Sequence, residues 1–274
     1  MSPVSPLPLS RRRVRLGIGT GPGARAAERW AADMARALDA EIDAVFVESE
    51  ALLALARLPV AREITATTRV ARGVDPERIE RDMRASIAAA RRRMDRIFDR
   101  AGPPGAVRVE RGGPAQALTG RLAPGDLVVL ARPGPGPGTL VAMARTGLAA
   151  LAAGADVLLV PGAPAHGAPA HGAPAHGAPA HGAIVQPEIA VATGAGPGAL
   201  TLADALARAR GVSVALIEDE DLSLRQIIDA ARARSAIMLL VTLPDAERAQ
   251  EAFDQVIARS GCPVMILGVQ APAA

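Results

Sequence analysis

The chain has 274 residues, half of them hydrophobic, with 31 basic and 28 acidic side chains and a formal net charge of +3. Every basic residue is arginine, tyrosine is absent, and aromatic residues make up 1% of the chain, so any core must be built from Ala, Val, Leu and Ile. A one-signed basic stripe with stacking aromatics, the footprint of single-strand nucleic-acid binding, is missing.

Charges of both signs are instead interspersed, as at Glu28-Arg29, Asp82-Met83-Arg84 and Asp95-Arg96, a pattern that predicts solvated helix faces. Cys262 is the only cysteine, which excludes an intrachain disulfide and fits a reducing compartment. Residues 1–12 lack an apolar segment of signal-peptide length and read as a disordered tail. No apolar run reaches membrane-spanning length, because the longest, 139–160, is broken by Arg145 and Asp156. The expectation is a cytoplasmic protein without membrane or nucleic-acid partners.

In chain order, Val14 to Thr20 is a short aliphatic run ending at glycine, which predicts a buried strand. A Gly-Pro-Gly turn follows, then apolar residues at helical spacing through Ala27, Trp30, Ala31, Met34 and Leu38. Ile42 to Val47 is a second strand, so this opening predicts a βαβ crossover and a parallel pair. Ala51 to Leu58 predicts a short helix stopped by Pro59, and Val60 to Gly73 reads as irregular. Asp75 and Pro76 are the N-cap and first position of a long helix to about Arg100. Strands follow near Val107 to Glu110, at Leu127 to Ala131 and at Val157 to Val160, with helices after Pro114 and over Thr139 to Ala153.

Ala163 to Gly182 then reads APAHG four times over. Such a Gly-Pro-rich repeat cannot bury a core and predicts a partly extended tether. Beyond it the pattern starts again, with a strand at Glu188 to Thr193, GAGPGAL in the place of GTGPGAR, and a helix to about Arg210. Strands over Val212 to Ile217, Ile237 to Val241 and Val264 to Leu267 alternate with helices over Leu222 to Arg234 and Asp245 to Arg259. One helix and one strand of the first half have no counterpart.

The expected organisation is therefore a tail (1–12), a first domain (13–161), a linker (162–183) and a trimmed second domain (184–270). Each domain is expected to be a doubly wound, open parallel α/β sheet. The two could pair through their final strands or stay apart on the tether.

This pattern resembles the universal stress protein family in tandem form. The resemblance rests on the five-strand alternation, the Gly-Pro-Gly turn after the first strand, and the endings Val157-Leu158-Leu159-Val160 and Cys262-Pro263-Val264-Met265-Ile266-Leu267. It covers both halves but not the tail or tether. It implies a Rossmann-like fold and a regulatory role in bacterial stress physiology. The family's nucleotide-binding branch carries G-x2-G-x9-G-[S/T] after the fourth strand, and those positions fall here on Ala131, Gly134, Ala144 and Arg145, so one glycine remains. The acidic residue that branch places after the first strand is Gly19 here, and Gly194 in the second half. The second-half loop, Thr242-Leu243-Pro244-Asp245, has no glycine.

Three sets of residues are candidates for binding. The loop Gly134, Gly136, Gly138 and Thr139, with Gly19, Arg132 and Arg145, is placed at the carboxyl end of the sheet, where open α/β sheets bind ligands. Its prolines remove N–H donors that a phosphate would need, which favours a stiff connector. The acidic strand ends Glu48/Glu50 and Glu218/Asp219/Glu220/Asp221 either bind a cation or a basic partner, or cap the following helix and favour its N-terminal dipole, and capping is the simpler reading. His166, His171, His176 and His181 are all of the histidines, and their spacing in the tether matches no defined zinc motif. Outside the tether no His, Lys or Tyr is available for acid–base work at neutral pH. The expectation is a non-enzyme without a cofactor that associates with a protein partner or itself, the alternatives being an ATP- or AMP-binding sensor and metal binding by the tether.

Overall fold

A computed structural model describes residues 13–19, 23–64, 69–101, 104–132, 139–161, 187–218, 222–243 and 249–268. The first half contains β1 (Arg13–Ile18), α1 (Ala24–Ala37), β2 (Glu41–Glu48), α2 (Glu50–Ala56), β3 (Arg62–Ile64), β4 (Ala71–Gly73), α3 (Pro76–Ala101), β5 (Gly105–Arg111), α4 (Pro114–Thr119), β6 (Leu127–Ala131), α5 (Thr139–Ala152) and β7 (Asp156–Val160). The second contains β8 (Glu188–Ala192), α6 (Pro197–Arg210), β9 (Ser213–Ile217), α7 (Leu224–Ala233), β10 (Met238–Thr242), α8 (Ala249–Arg259) and β11 (Val264–Leu267).

Nine strands form one sheet in the order β5-β2-β1-β6-β7-β11-β10-β8-β9. Pairing is parallel throughout except between β7 and β11, where Val264 lies opposite Leu159 and Ile266 opposite Val157 in antiparallel register. The two halves therefore meet through their final strands and share a single sheet. Each is doubly wound about its first strand, because β1 pairs with both β2 and β6 and β8 with both β9 and β10. The aliphatic runs are buried on both sides: all five residues of β7 and residues 127–130 of β6 are buried. One face carries α1, α3 and α6 over a cluster that includes Leu16, Met34, Met94 and Leu206. The opposite face carries α4, α5, α7 and α8 over Leu118, Ala144, Ile228 and Phe253.

Helix contacts extend the junction on both faces. Between α1 and α6, the Arg210 guanidinium stacks 3.6 Å from the Trp30 ring centroid and pairs with Asp33. Between α5 and α8, the Phe253 ring closes on Gly147, leaving no room for a β-carbon there. Helix α6 ends at Gly211 with φ +66°, a left-handed conformation in which a β-carbon would be strained.

Local chemistry departs from the sequence reading at three places. Residues 62–64 and 71–73 form a small antiparallel ladder where irregular chain was expected. All six of its residues are exposed, so no alternation of burial marks it in the sequence. Glu28, read as part of a solvated face, is buried and accepts hydrogen bonds from Arg93 Nε and Nη2 on α3 at 3.0 and 2.9 Å. The helix caps are serines rather than the neighbouring acids. Ser49 Oγ accepts from Leu52 N at 3.2 Å, and Ser223 forms a capping box with Gln226. Glu48 instead accepts from Arg111 Nε at 2.8 Å, and Glu50 lies in the first turn of α2, where a carboxylate favours the helix dipole. Glu218 is exposed, and residues 219–221 lie outside the described residues. Asp75 caps as expected, its Oδ1 accepting from the backbone N–H of Glu77 and Arg78 at 3.0 and 3.2 Å.

Candidate functional site

Strands β1 and β6 lie side by side, and the chain leaves them in opposite directions, β1 toward β2 and β6 toward β7. Their carboxyl ends therefore flank the switch point at which open α/β sheets place ligands. Gly19 follows β1 there and is half-buried. Gly23 is the N-cap of α1 and makes no side-chain cap bond, and the first turn of α1 has no acidic residue. Thr139 opens α5, whose first turn is also free of acids. Two helix N-termini without acids thus begin beside the ends of β1 and β6. Gly134, Gly136 and Gly138, which join β6 to α5, lie outside the described residues. So do His166, His171, His176 and His181 with the rest of the tether, and the tail 1–12.

The two arginines expected here are separated. Arg132 follows β6, and its backbone N–H donates to the carbonyl of Val160 at 2.8 Å. Arg132 lines a crevice of about 10 Å³ with Met143, Leu159, Pro161, Ile257 and Ser260. That space is about large enough for one water molecule. Ile257 lies in the last turn of α8 and Ser260 directly follows the helix, so Arg132 lies near a helix C-terminus, where a cation is favoured. Arg145 is exposed on α5 and is not part of this crevice.

The carboxyl edge carries a second feature, an exposed apolar surface. Ser49 starts α2 directly after β2, and the next excursion leaves Leu52, Leu55, Leu58, Val60, Ile64 and Val70 largely exposed, Val60 at 80%. These side chains are exposed along one stretch of the chain, and large exposed apolar patches mark interaction sites. Charged pairs lie in the same stretch, with Arg57 Nη2 to Glu80 Oε1 at 3.4 Å and Arg78 to Glu63. The excursion is held to α3 by these pairs, and its base is closed by the N–H of Val74, which donates to the carbonyl of Ala61 at 3.4 Å.

A buried charge network, not foreseen from the sequence, lies across β1, β2 and β5. Arg15 is 1% exposed, its Nε and Nη2 donating to Asp43 Oδ2 at 3.0 and 2.7 Å and its Nη1 to the carbonyl of Leu118 at 3.1 Å. Arg108 Nε donates to Asp43 Oδ1 at 2.8 Å and its Nη1 to Glu110 Oε1 at 2.8 Å. Burial works to raise the Asp43 carboxyl, but the Arg108 hydrogen bonds and the charge of Arg15 outweigh it and hold it below the usual carboxylate value. The register was the available signal: Arg15 pairs with Asp43, and Asp43 with Ala106, two residues before Arg108 on the same face. This network pins the edge strand β5.

Cys262 is buried ahead of β11, and burial pushes its thiol up to about 11 from the ordinary 9.0. A thiol so placed is a poor nucleophile at neutral pH. Among the described residues, no group of three or more His, Cys, Asp or Glu could hold a metal ion, and no helix is long and apolar enough to cross a membrane.

No family model matches the chain, and no curated protein does. Solved structures share its fold. A universal stress protein from Archaeoglobus fulgidus DSM 4304 superposes with a TM-score of 0.57 at 12% identity, over 94% of this chain and 97% of its own. A protein of unknown function from Pseudomonas aeruginosa PAO1 gives 0.54 at 10% identity, over 96% and 94%. A third structure, provisionally assigned to the universal stress proteins and from Pseudomonas aeruginosa UCBPP-PA14, gives 0.53 at 10% identity, over 94% of each chain. At these identities the likeness establishes the fold: a mostly parallel α/β sheet of universal-stress-protein type.

Proposed function

We propose that this chain is a non-enzymatic regulatory protein of universal-stress type that works by engaging a protein partner. The observation that carries this reading is the exposed aliphatic surface of α2 and the β3–β4 excursion, built around Leu52, Leu55, Leu58 and Val60 at the carboxyl edge of the sheet. Exposed apolar side chains interspersed with paired charges have the composition of an interaction surface rather than of a catalytic centre. The stress-related role is supported only by likeness of fold to the universal stress proteins.

The test is comparative capture of partners from a cell extract on immobilised wild-type chain and on Leu55→Glu and Leu58→Glu variants. A partner retained by the wild type and lost by both variants, with melting temperature unchanged, is the expected result. Equal capture by all three sinks the reading.

A second reading, nucleotide sensing at the switch point, is favoured by the acid-free starts of α1 and α5 beside Gly19. Thermal shift with ATP, ADP and AMP, with and without magnesium, separates the two. A ligand at a hundred times its dissociation constant adds about 2.7 kcal/mol. A shift abolished by Gly134→Val would establish the sensor, and none is expected. The third reading, metal binding by the His repeats, is tested by zinc and nickel titration before and after deletion of 163–182.

A further inference from the structure

The two halves of the sheet end very differently. At one end β5 pairs with β2 over seven residues, and its outer edge carries Arg108, Glu110 and Arg111. Charged residues blunt a sheet edge against unplanned pairing. At the other end β9 (SVALI) is a short strand that carries no charge and no proline.

Internal comparison shows what β9 lacks. Laid on β1 through their shared neighbours, β8 places Val214 where the first half has Ile42, and Leu216 where it has Ala44. Ile42 and Ala44 are 1% and 0% exposed, closed in by α3 and β5 in one buried cluster. The second half passes from β9 directly to α7 and has neither covering element. Leu216 is 48% exposed as a result, although it is larger than the alanine it replaces. An aliphatic side chain has been placed at the uncovered position rather than a polar one.

We infer that β9 is an interface between two copies of this chain, paired edge to edge in antiparallel register. The molecule already uses this mode, since β7 and β11 join the halves as antiparallel edges. Twofold pairing also makes the short edge self-complementary. Centred on Ala215, it sets Val214 of each copy opposite Leu216 of the other on one face. The four side chains form an apolar cluster that closes the surface left open beside α6, and like charges do not meet. Pairing of β9 with β5 of a second copy would instead set this apolar strand against Arg108 and Glu110, in a head-to-tail contact that does not close. The proposal is independent of the α2 surface, which lies at the carboxyl edge.

Sedimentation velocity of the full chain over a concentration series tests it. The wild type is expected to dimerise reversibly, and Leu216→Arg to weaken the dimer at least tenfold. Leu140→Arg, at another exposed leucine on α5, is expected to leave it intact. Trp30 emission and melting temperature establish that each variant is folded, and Leu216→Ser replaces the arginine variant if that one unfolds. A wild-type chain that stays monomeric up to roughly 100 µM, the range of weak association, overturns the proposal. So does a dimer that survives both Leu216 substitutions, or one that Leu140→Arg disrupts equally.

Discussion

A β-carbon added to Gly147 on α5 would lie 2.0 Å from Cζ of Phe253 on α8. Phe253 is fully buried, so its ring fills the space that a side chain at residue 147 would need. The pair joins the first half of the chain to the second. Gly147→Ala is therefore expected to destabilise the fold by about 1–3 kcal/mol through overpacking, and Phe253→Ala by about 3–5 kcal/mol through cavity formation. The two should couple in urea unfolding, with Gly147→Ala costing less in a Phe253→Leu background than in the wild type. Additive values would show that the helices do not meet at this point.

On the other face the junction is reported by an intrinsic probe. Trp30 is the only tryptophan, and Arg210 stacks on it while pairing with Asp33. Arg210→Ala should shift Trp30 emission to longer wavelength and cost about 0.5–2 kcal/mol, the range of a partly desolvated cation–π contact. An emission maximum unchanged by this substitution would contradict the contact.

Asp43 is the only carboxylate that Arg15 meets in this network, and Arg15 is almost wholly buried. Asp43→Ala leaves that charge uncompensated, and a loss of about 3–5 kcal/mol is expected. The folded carboxyl titrates below its ordinary 3.8, so its contribution is present above that pH and is lost as pH falls through the lower folded value. Acid unfolding of the wild type should therefore show a stability loss in this range that is absent from Asp43→Asn. Identical acid profiles for the two proteins would refute the assignment.

The Cys262 thiol titrates in the opposite sense. Its folded value of about 11 exceeds the ordinary 9.0, so the stability it contributes is complete below pH 9 and disappears between pH 9 and 11. A shift of this size corresponds to something on the order of 2–3 kcal/mol. Cys262→Ala should flatten that part of the stability profile. In the native protein at pH 7, a disulfide reagent should label Cys262 only at the rate of unfolding, and rapid labelling would show the thiol to be accessible.

The alternation of strand and helix was legible because the buried strands are aliphatic runs punctuated by Gly and Pro, as at Leu127 to Ala131. The second half was expected to lack one strand and one helix; among the described residues α2, β3, β4, α3 and β5 all have no counterpart there. The exposed three-residue strands of the 62–73 hairpin carry no such signal. Capping was misread at Glu48 and Glu50 because the serine between them has the shorter side chain, which can turn back to the N–H of Leu52. The partnership of Arg15 with Asp43 depends on which strands are neighbours, and that information lies in register rather than in any local window. At the candidate site, sequence order puts Gly19 and Arg132 after the ends of β1 and β6 and Thr139 at the start of α5. It could not reveal that Arg132 shares a crevice with Ile257 of α8, a helix more than a hundred residues further along the chain.

The central seam of the sheet also sets a schedule for synthesis. β7 is completed when the ribosome has made the first half, yet β11, which covers its open side, is the last strand to be made. Roughly a hundred further residues must be added first, which takes about 5–20 s at ordinary elongation rates. During that interval Asp156 to Val160 is a fully aliphatic strand edge, apart from its first residue, on an otherwise finished half-sheet. The proline- and glycine-rich composition of the APAHG tether, which is the next segment to leave the ribosome, gives it little capacity to pair with that edge.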